Sequence, residues 1–330
     1  MSKEWHVAWL DVWDQRAQEA VLAVAPPSLN VTFAETYELE EQFEITANCD
    51  VIAAGWPAVT RELITNAASL KLIHKLGVGY DKIDLNAAKE SRLAVAITSG
   101  ANASAVAEHT VGLVLAALRR TPYVDSSLRS GRWLKTEMRV VNQQLRGKRV
   151  GLLGFGNIGR QVARKLAGFE VEIVYFDVRR ADLTAETSLG AGYVSFDELL
   201  ETSDILSLHV PLDESTRGIL ADESFARMKD GAVIINTSRG GIIDEQALVR
   251  CLKSGKIEAA GLDTFAQEPP AVADPLFTFP QVVLSPHIAG AVFDNVQNLG
   301  AHLFRNVISY LENGILPAED TILLGVPDEG

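Results

Sequence analysis

Short apolar runs alternate with helix-period stretches along the first third of the chain. The runs "HVAWLDV" (6–12), "NVTFAET" (30–36), "VIAAG" (51–55), "LKLIHKLG" (70–77) and "LAVAIT" (93–98) read as strands. Between several of them, "QRAQEAVLAVA" (15–25), "TRELITNAA" (60–68) and "LNAAKESR" (85–92) read as helices. Strands buried on both faces give continuous apolar runs, so the pattern predicts an α/β sheet covered on both sides. "NASAVAEHTVGLVLAALRR" (102–120) then places apolar residues at helical spacing, with Asn102 and Ser104 as candidate N-caps. A second helical stretch leads to "RSGRW" (129–133) and the polar Asn142-Gln143-Gln144. A new series opens at "GKRVGLLGFGNIG", with strands near 148–154, 171–177, 204–210, 232–237, 258–263 and 281–286 and helices between. The final long helical stretch, Ala291 to Asn313, stops at Gly314. Two such series, without a repeat or long linker, predict two α/β lobes with a cleft between them.

Composition narrows the class without choosing a function. At 330 residues the chain can bury two cores. Its 47% apolar and 22% charged residues are those of an ordinary globular protein. No apolar run approaches the ~18 residues of a membrane-spanning helix; the longest, Val111 to Leu118, lies between His109 and Arg119-Arg120. The start "MSKEWHVAWLDVW" enters a strand-like segment with no signal-peptide architecture. Cys49 and Cys251 form no disulfide framework, and no Cys/His spacing suggests zinc, so a reducing cytoplasm and no metal are expected. A net charge of −13 disfavours nucleic acid and anionic membranes as partners.

The motif Gly154-x-Gly156-x-x-Gly159, carrying Asn157 and Ile158, falls between an apolar strand and a helix. The first glycine permits a tight turn, the second lets backbone approach a pyrophosphate, and the third allows close helix–strand packing. A pyrophosphate would sit on the free N–H groups at the helix's positive end. A second strand, "EVEIVYFD", ends in Asp177, where a carboxylate would bind ribose hydroxyls and repel a 2′-phosphate. NAD is therefore expected over NADP, although Arg179 and Arg180 follow closely and can be read as phosphate ligands or as solvated charges. About 150 residues precede the motif, which leaves the N-terminal lobe as the owner of the substrate.

Three later segments carry polar groups where strand C-termini meet, the edge at which open α/β sheets bind ligands. "AVIINTSRGGIID" places Ser238-Arg239-Gly240-Gly241, "AAGLDTFAQEPP" places Asp263 and Glu268, and "VVLSPHIAG" places His287. Arg239 can grip a carboxylate through its planar fork and polarise the adjacent carbonyl. An imidazole ordinarily titrates near neutrality, so His287 suits exchange of a hydroxyl proton. Glu268 can accept its other ring N–H, fixing the tautomer and favouring the charged form. Singly, each residue is equally well read as a loop ion pair, a solvated charge or a strand-end histidine; jointly, beside a dinucleotide motif, they point to hydride-transfer chemistry.

At these residues the sequence resembles the D-isomer-specific 2-hydroxyacid dehydrogenases over nearly its whole length. "KLGVGYDKIDL" (75–85) resembles that family's substrate-carboxylate loop, "NASAVAEHTVGLVLA" its linking helix and "GKRVGLLGFGNIGR" its fingerprint. "LHVPLDESTRGIL" (208–220), which includes Thr216, resembles its adenine-side loop, and the three polar segments its catalytic segments, in order. The resemblance implies a Rossmann-type NAD domain (100–290) inserted in a flavodoxin-like α/β substrate domain (1–99 plus 291–330). It implies interconversion of a D-2-hydroxy acid and its 2-oxo acid by Arg239, Glu268 and His287. Val78 and Gly79 would offer amides to the substrate carboxylate, Asn102 would line the pocket, and Asp263 would hold the nicotinamide side. His209, Val210, Pro211, Thr237, Ser238 and Gly290 would lie near the cofactor. The segment 103–146 would form a homodimer contact.

The departures from the family pattern bear on substrate. Formate dehydrogenases carry glutamine where this chain has Glu268, and Pro269 anchors that register despite the neighbouring Gln267. Formate oxidation is therefore disfavoured. Phosphoglycerate-specific relatives often have arginine after the "VIAAG" strand, whereas here Gly55-Trp56-Pro57 follows, with Lys75 and Arg61 as less direct phosphate ligands. Trp56, and Phe293 in the run Gly290-Ala291-Val292-Phe293, either make the pocket apolar or belong to the core. Glyoxylate, hydroxypyruvate, 3-phosphoglycerate and bulkier 2-oxo acids all stay open. The chain stops soon after its final helix, so no C-terminal regulatory domain is expected. A rival reading is an NADH-sensing corepressor-like protein of the same fold, disfavoured by the lack of long disordered tails.

Overall fold

A computed structural model describes residues 4–325. They divide into two compact units, one running up to Asn102 and resuming at Val292, the other Ala103–Ala291. In chain order the first unit contributes β1 (Trp5–Trp9), α1 (Gln15–Leu22), β2 (Leu29–Phe33), α2 (Leu39–Thr46), β3 (Val51–Ala54), α3 (Arg61–Asn66), β4 (Leu72–Lys75), α4 (Leu85–Glu90) and β5 (Ala94–Ile97). The second unit supplies α5 (Ala103–Arg119), α6 (Thr121–Arg129), β6 (Arg149–Leu153), α7 (Asn157–Leu166), β7 (Glu172–Phe176), α8 (Leu183–Leu189), β8 (Ala191–Tyr193), α9 (Phe196–Thr202) and β9 (Ile205–Leu208). It continues with α10 (Asp222–Arg227), β10 (Ala232–Asn236), α11 (Glu245–Ser254), β11 (Ile257–Leu262) and β12 (Val282–Leu284). The chain then returns to the first unit with α12 (Val296–Asn313) and β13 (Thr321–Leu323).

The first sheet has the order β13-β5-β4-β3-β1-β2, all parallel except the antiparallel edge strand β13. Without β13 this is the flavodoxin-like 2-1-3-4-5 arrangement. Strands β3, β4 and β5 are buried at every position; β3 and β5 therefore read as unbroken apolar runs, whereas β4 ends in the buried polar pair His74-Lys75. Helix α12 buries Leu303, Phe304 and Val307 in a cluster with Val7, Trp9 and Val21, each worth about 1.5–3 kcal/mol relative to exposure.

The second sheet is fully parallel, β12-β11-β10-β9-β6-β7-β8. Counted within the unit this is 3-2-1-4-5-6-7, with its reversal of direction between β6 and β9, the place where doubly wound sheets bind dinucleotides. Several helices are fixed by caps: Asp182, Ser195 and Asp244 accept backbone N–H groups at the starts of α8, α9 and α11, each worth about 1 kcal/mol. No helix among the described residues is long and apolar enough to cross a membrane.

Some expected boundaries move. Helix α12 begins at Val296 rather than Ala291, after a short 3-10 turn at Phe293–Asn295. Helix α2 and the three-residue strands β8 and β13 had no distinct apolar signal. Asn102 and Ser104 do not cap α5: Asn102 Oδ1 is buried without a partner, and Ser104 lies inside the helix, with its hydroxyl donating to Glu108 and accepting from Lys165. Trp56 and Phe293 are not core residues, being 39% and 45% exposed.

Candidate active site

The dinucleotide motif sits on the C-terminal edge of the second sheet. Gly154 has φ +96°, and a Cβ there would lie 2.6 Å from the carbonyl oxygen of His209, while one on Gly159 would lie 2.3 Å from that of Gly154. A Cβ on Gly156 would meet nothing within 4 Å. Two glycines thus fold the turn and the third leaves it open, and no side chain caps α7 above Gly156. This is the cradle a pyrophosphate needs. Asp177 follows β7 directly, and its Oδ2 accepts the Phe155 N–H at 2.8 Å while Oδ1 accepts that of Arg179 at 3.0 Å. The carboxylate therefore fixes the motif's turn and keeps lone pairs for ribose hydroxyls.

Other residues expected near the cofactor sit along the same edge. His209 closes β9, with Nε2 2.9 Å from Ser207 Oγ, and burial holds its imidazole down at about 3, so the ring is neutral. The loop from Val210 and Pro211 to Thr216 is stapled by Thr216 Oγ1 donating to the Pro211 carbonyl at 2.7 Å. Thr237 is buried and shares a 2.9 Å hydroxyl contact with Thr110 of α5, and Ser238 is held by Asn236 Oδ1.

The three candidate catalytic residues follow β10, β11 and β12, all on that edge. Arg239 is half-buried, with Nη1 donating to the Ser238 carbonyl at 2.8 Å and its own carbonyl accepting from Asn236 Nδ2. The next residue, Gly240, cannot be anything larger, since a Cβ would lie 1.8 Å from the carbonyl carbon of Phe265. That contact presses the arginine segment against the segment carrying Glu268. Both Glu268 carboxylate oxygens face His287 Nδ1, at 3.0 and 2.9 Å, and Oε1 also accepts the Phe265 N–H. Nδ1 therefore carries a proton, and Nε2 is the atom left to exchange one.

His287 has a left-handed backbone, φ 54°, a strained state for a non-glycine residue. Asp263 explains how it persists. Its carboxylate is fully buried, accepting Ser285 Oγ–H at 2.6 Å and the N–H groups of Ile288 and Ala289 at 3.0 and 2.9 Å. Its carbonyl accepts the His287 N–H at 2.7 Å. The sequence resemblance assigned Asp263 to the nicotinamide; the structure shows it clamping the turn from Ser285 to Ala289, just before Gly290. His109 of α5, a residue sequence reasoning passed over, places Nε2 2.8 Å from Ser285 Oγ and 3.5 Å from Asp263 Oδ1. Only its helical position beside a polar glutamate marked it in the sequence.

In the first unit, Gly77 opens the loop after β4 at φ +129°. Thr98 staples this loop, accepting the Gly77 N–H at 2.7 Å and donating to the Lys75 carbonyl at 2.8 Å. The half-buried N–H groups of Val78 and Gly79 meet no partner among the described residues. A Cβ on Gly77 would lie 3.9 Å from Asn102 Nδ2, so the orphaned Asn102 acceptor belongs to the same locality. Lys75 is buried and its ammonium donates to the Gly55 carbonyl, while Arg61 forks onto Glu90 and reaches Asp84. Trp56 is held by Asp11 Oδ1 on its N–H at 2.7 Å, with Tyr37 edge-on at 5.1 Å and the Lys82 ammonium 4.7 Å over its ring.

A glycine cradle at the switch point and a carboxylate-backed imidazole on the same sheet edge supply cofactor and proton chemistry together, the division of labour of a nicotinamide-dependent dehydrogenase. Comparison with known proteins refines that class. Residues 111–289 match the family described as D-isomer specific 2-hydroxyacid dehydrogenase, NAD binding domain. A hydroxypyruvate reductase of Thermotoga maritima is 40% identical over 304 residues, spanning 91% of this chain and 96% of that protein. A glyoxylate reductase from Paecilomyes thermophila superposes with a TM-score of 0.81 at 34% identity, covering 100% of both chains. An NAD-dependent formate dehydrogenase from Staphylococcus aureus, solved with NAD, gives a TM-score of 0.85 at 26% identity, covering 97% of this chain and 100% of that one. The chain belongs to the D-isomer-specific 2-hydroxyacid dehydrogenase family, and it is an NAD-binding oxidoreductase that acts on 2-hydroxy acids.

Proposed function

We propose that this enzyme reduces glyoxylate, hydroxypyruvate and 2-oxo acids of similar size to the corresponding D-2-hydroxy acids. The nicotinamide cofactor supplies the hydride that reaches the substrate's C2. His287 delivers the proton from Nε2 to the carbonyl oxygen as that oxygen gains charge, and Glu268 steadies the imidazolium through Nδ1. Arg239 grips the substrate carboxylate and polarises the carbonyl.

The observation that carries this reading is the paired approach of both Glu268 oxygens to His287 Nδ1. It fixes which ring nitrogen holds the exchangeable proton. The substrate range rests on two supports. Lys75 and Arg61, the cations considered for a phosphate, are engaged by Gly55 and by Glu90 with Asp84, which disfavours 3-phosphoglycerate. Two of the similar proteins are named for hydroxypyruvate and glyoxylate. Steady-state assays of a 2-oxo acid panel with NADH test the proposal: the highest kcat/KM is expected for glyoxylate or hydroxypyruvate. A preference for a phosphorylated or branched acid overturns it.

The same reading includes a cytoplasmic homodimer. Its support is four exposed large apolar side chains, Leu115, Leu128, Trp133 and Val140, on and after α5 and α6, the kind of surface that marks an interaction site. Trp133→Glu is expected to shift the species seen by analytical ultracentrifugation toward monomer.

A further inference from the structure

Arg180 stands three residues beyond Asp177, in the loop between β7 and α8. A guanidinium in this loop is the group that neutralises a 2′-phosphate in dinucleotide sites of this architecture. Here it points to a protein carboxylate instead. Nε and Nη2 of Arg180 donate to the two Glu186 oxygens at 2.8 and 2.9 Å, a parallel fork. Tyr175 Oη–H donates to Glu186 Oε1 at 2.7 Å, and the Ala181 N–H donates back to Tyr175 Oη at 2.9 Å. Tyr175 is fully buried and stacks on Phe155 of the glycine motif with ring centroids 3.9 Å apart. The base of this chain of contacts is therefore rigid. Arg180 also lies over the Tyr193 ring, 5.3 Å from its centroid.

We propose that Glu186 is a positioning residue for cofactor choice, withholding Arg180 from any 2′-phosphate and so reinforcing the preference for NAD. Asp177 repels the phosphate directly; Glu186 removes the counter-charge that would offset the repulsion. Fork geometry matters because the carboxylate occupies the side-on pair of donors, Nε and Nη2, and its charge already offsets that of the guanidinium, leaving a phosphate only the end-on edge of a neutralised group. The Arg180 guanidinium and the Tyr175 hydroxyl together hold the Glu186 carboxyl down at about 2, so the trap stays charged at every working pH. To offer a phosphate its side-on fork, Arg180 must abandon two charge-assisted bonds and leave a mostly covered carboxylate with one neutral partner. Glu186 sits on α8, and nothing about its spacing in the sequence distinguishes it from a surface acid.

The inference rests on NAD binding at the glycine motif, and titration calorimetry separates the two. Binding of NAD+, NADP+, 5′-AMP and 2′,5′-ADP to the intact protein is compared among wild type, Glu186→Gln, Arg180→Ala and the double variant. Glu186→Gln is expected to tighten NADP+ and 2′,5′-ADP by about tenfold, a gain typical of a released charge-assisted contact, with NAD+ and 5′-AMP changed less than about twofold. Arg180→Ala alone is expected to leave all four affinities unchanged, and to erase the gain in the double variant. A folded Glu186→Gln protein with an unaltered NADP+/NAD+ affinity ratio overturns the proposal. So does an Arg180→Ala protein that loses NADP+ affinity, since the guanidinium would then already serve the phosphate; this arm decides the matter if Glu186→Gln does not fold. Failure of wild type to bind NAD+ would instead strike the underlying reading.

Discussion

Nδ1 of His287 is bracketed by two carboxylate oxygens, and this contact generates the sharpest expectations at the scale of single side chains. His287→Ala is expected to slow the hydride-transfer step by about 10²–10⁴-fold, read from single-turnover loss of NADH absorbance; a near-wild-type rate would remove the residue from the chemistry. Glu268→Gln keeps a hydrogen-bond acceptor but removes the charge that steadies the imidazolium, so kcat for reduction should fall while KM for the oxo acid changes little. Arg239→Lys should raise KM for the oxo acid and lower kcat, because one ammonium does not reproduce a planar fork. The positions of Arg239, Glu268 and His287 after β10, β11 and β12 were legible in the sequence because each follows an apolar run that had to end at one sheet edge. His109 and Ser285 were not: they meet across 176 positions of chain, and no local pattern encodes that meeting. The role of Asp263 as a clamp was hidden for the same reason.

Between elements, the tightest constraint is Gly240 against Phe265 and Ala266. A Cβ there would fall within 2.3 Å of three backbone atoms, none of which can swing aside like a side-chain tip. Gly240→Ala is expected to destabilise the second unit by about 1–3 kcal/mol, measured by urea unfolding. It should also depress kcat/KM more than the loss of folded protein explains, because it pries the Arg239 segment from the Glu268 segment. Unchanged kinetics in the folded fraction would show that the two segments are positioned independently. Strands such as β3 and β5 announced themselves because burial on both faces leaves no polar position to interrupt the run. Strand β8 has three residues, Ala-Gly-Tyr, too few for any period to show. Strand β13 is only partly buried and owes its existence to pairing with β5, a partner more than 200 positions away. The start of α12 was misplaced because Gly290 to Val292 is small and apolar, a composition that a turn and a helix share.

Across the whole molecule, each unit holds a histidine whose burial keeps it neutral. His74 is fully buried, with Nδ1 3.2 Å from the Lys75 carbonyl and Nε2 accepting from Asn306 Nδ2 at 3.1 Å, and burial drives it from 6.5 down to about 3. His209 is lowered in the same way. Below about pH 6.5 the unfolded chain takes up protons that these folded rings refuse, so stability is lost as pH falls toward 3. The slope approaches about 1.4 kcal/mol per pH unit for such a ring. Urea midpoints measured between pH 7 and 4 should fall less steeply for His74→Gln than for the parent; parallel curves would refute the assignment. The partner of that ring, Asn306, also donates to Asp320 at 2.9 Å, and Asp320 in turn receives His302 and the Ser99 N–H. These contacts join α12 and the segment before β13 to strands made near the beginning of the chain. During synthesis, β1 to β5 emerge from the ribosome without α12 to cover Trp9 and without β13 along the open side of β5. At about 5–20 residues per second, the whole of Ala103–Ala291 is translated in the interval, roughly 10–40 s. The nascent first unit therefore waits with an apolar flank uncovered while the second is completed, the kind of surface that makes an unfinished chain prone to aggregate.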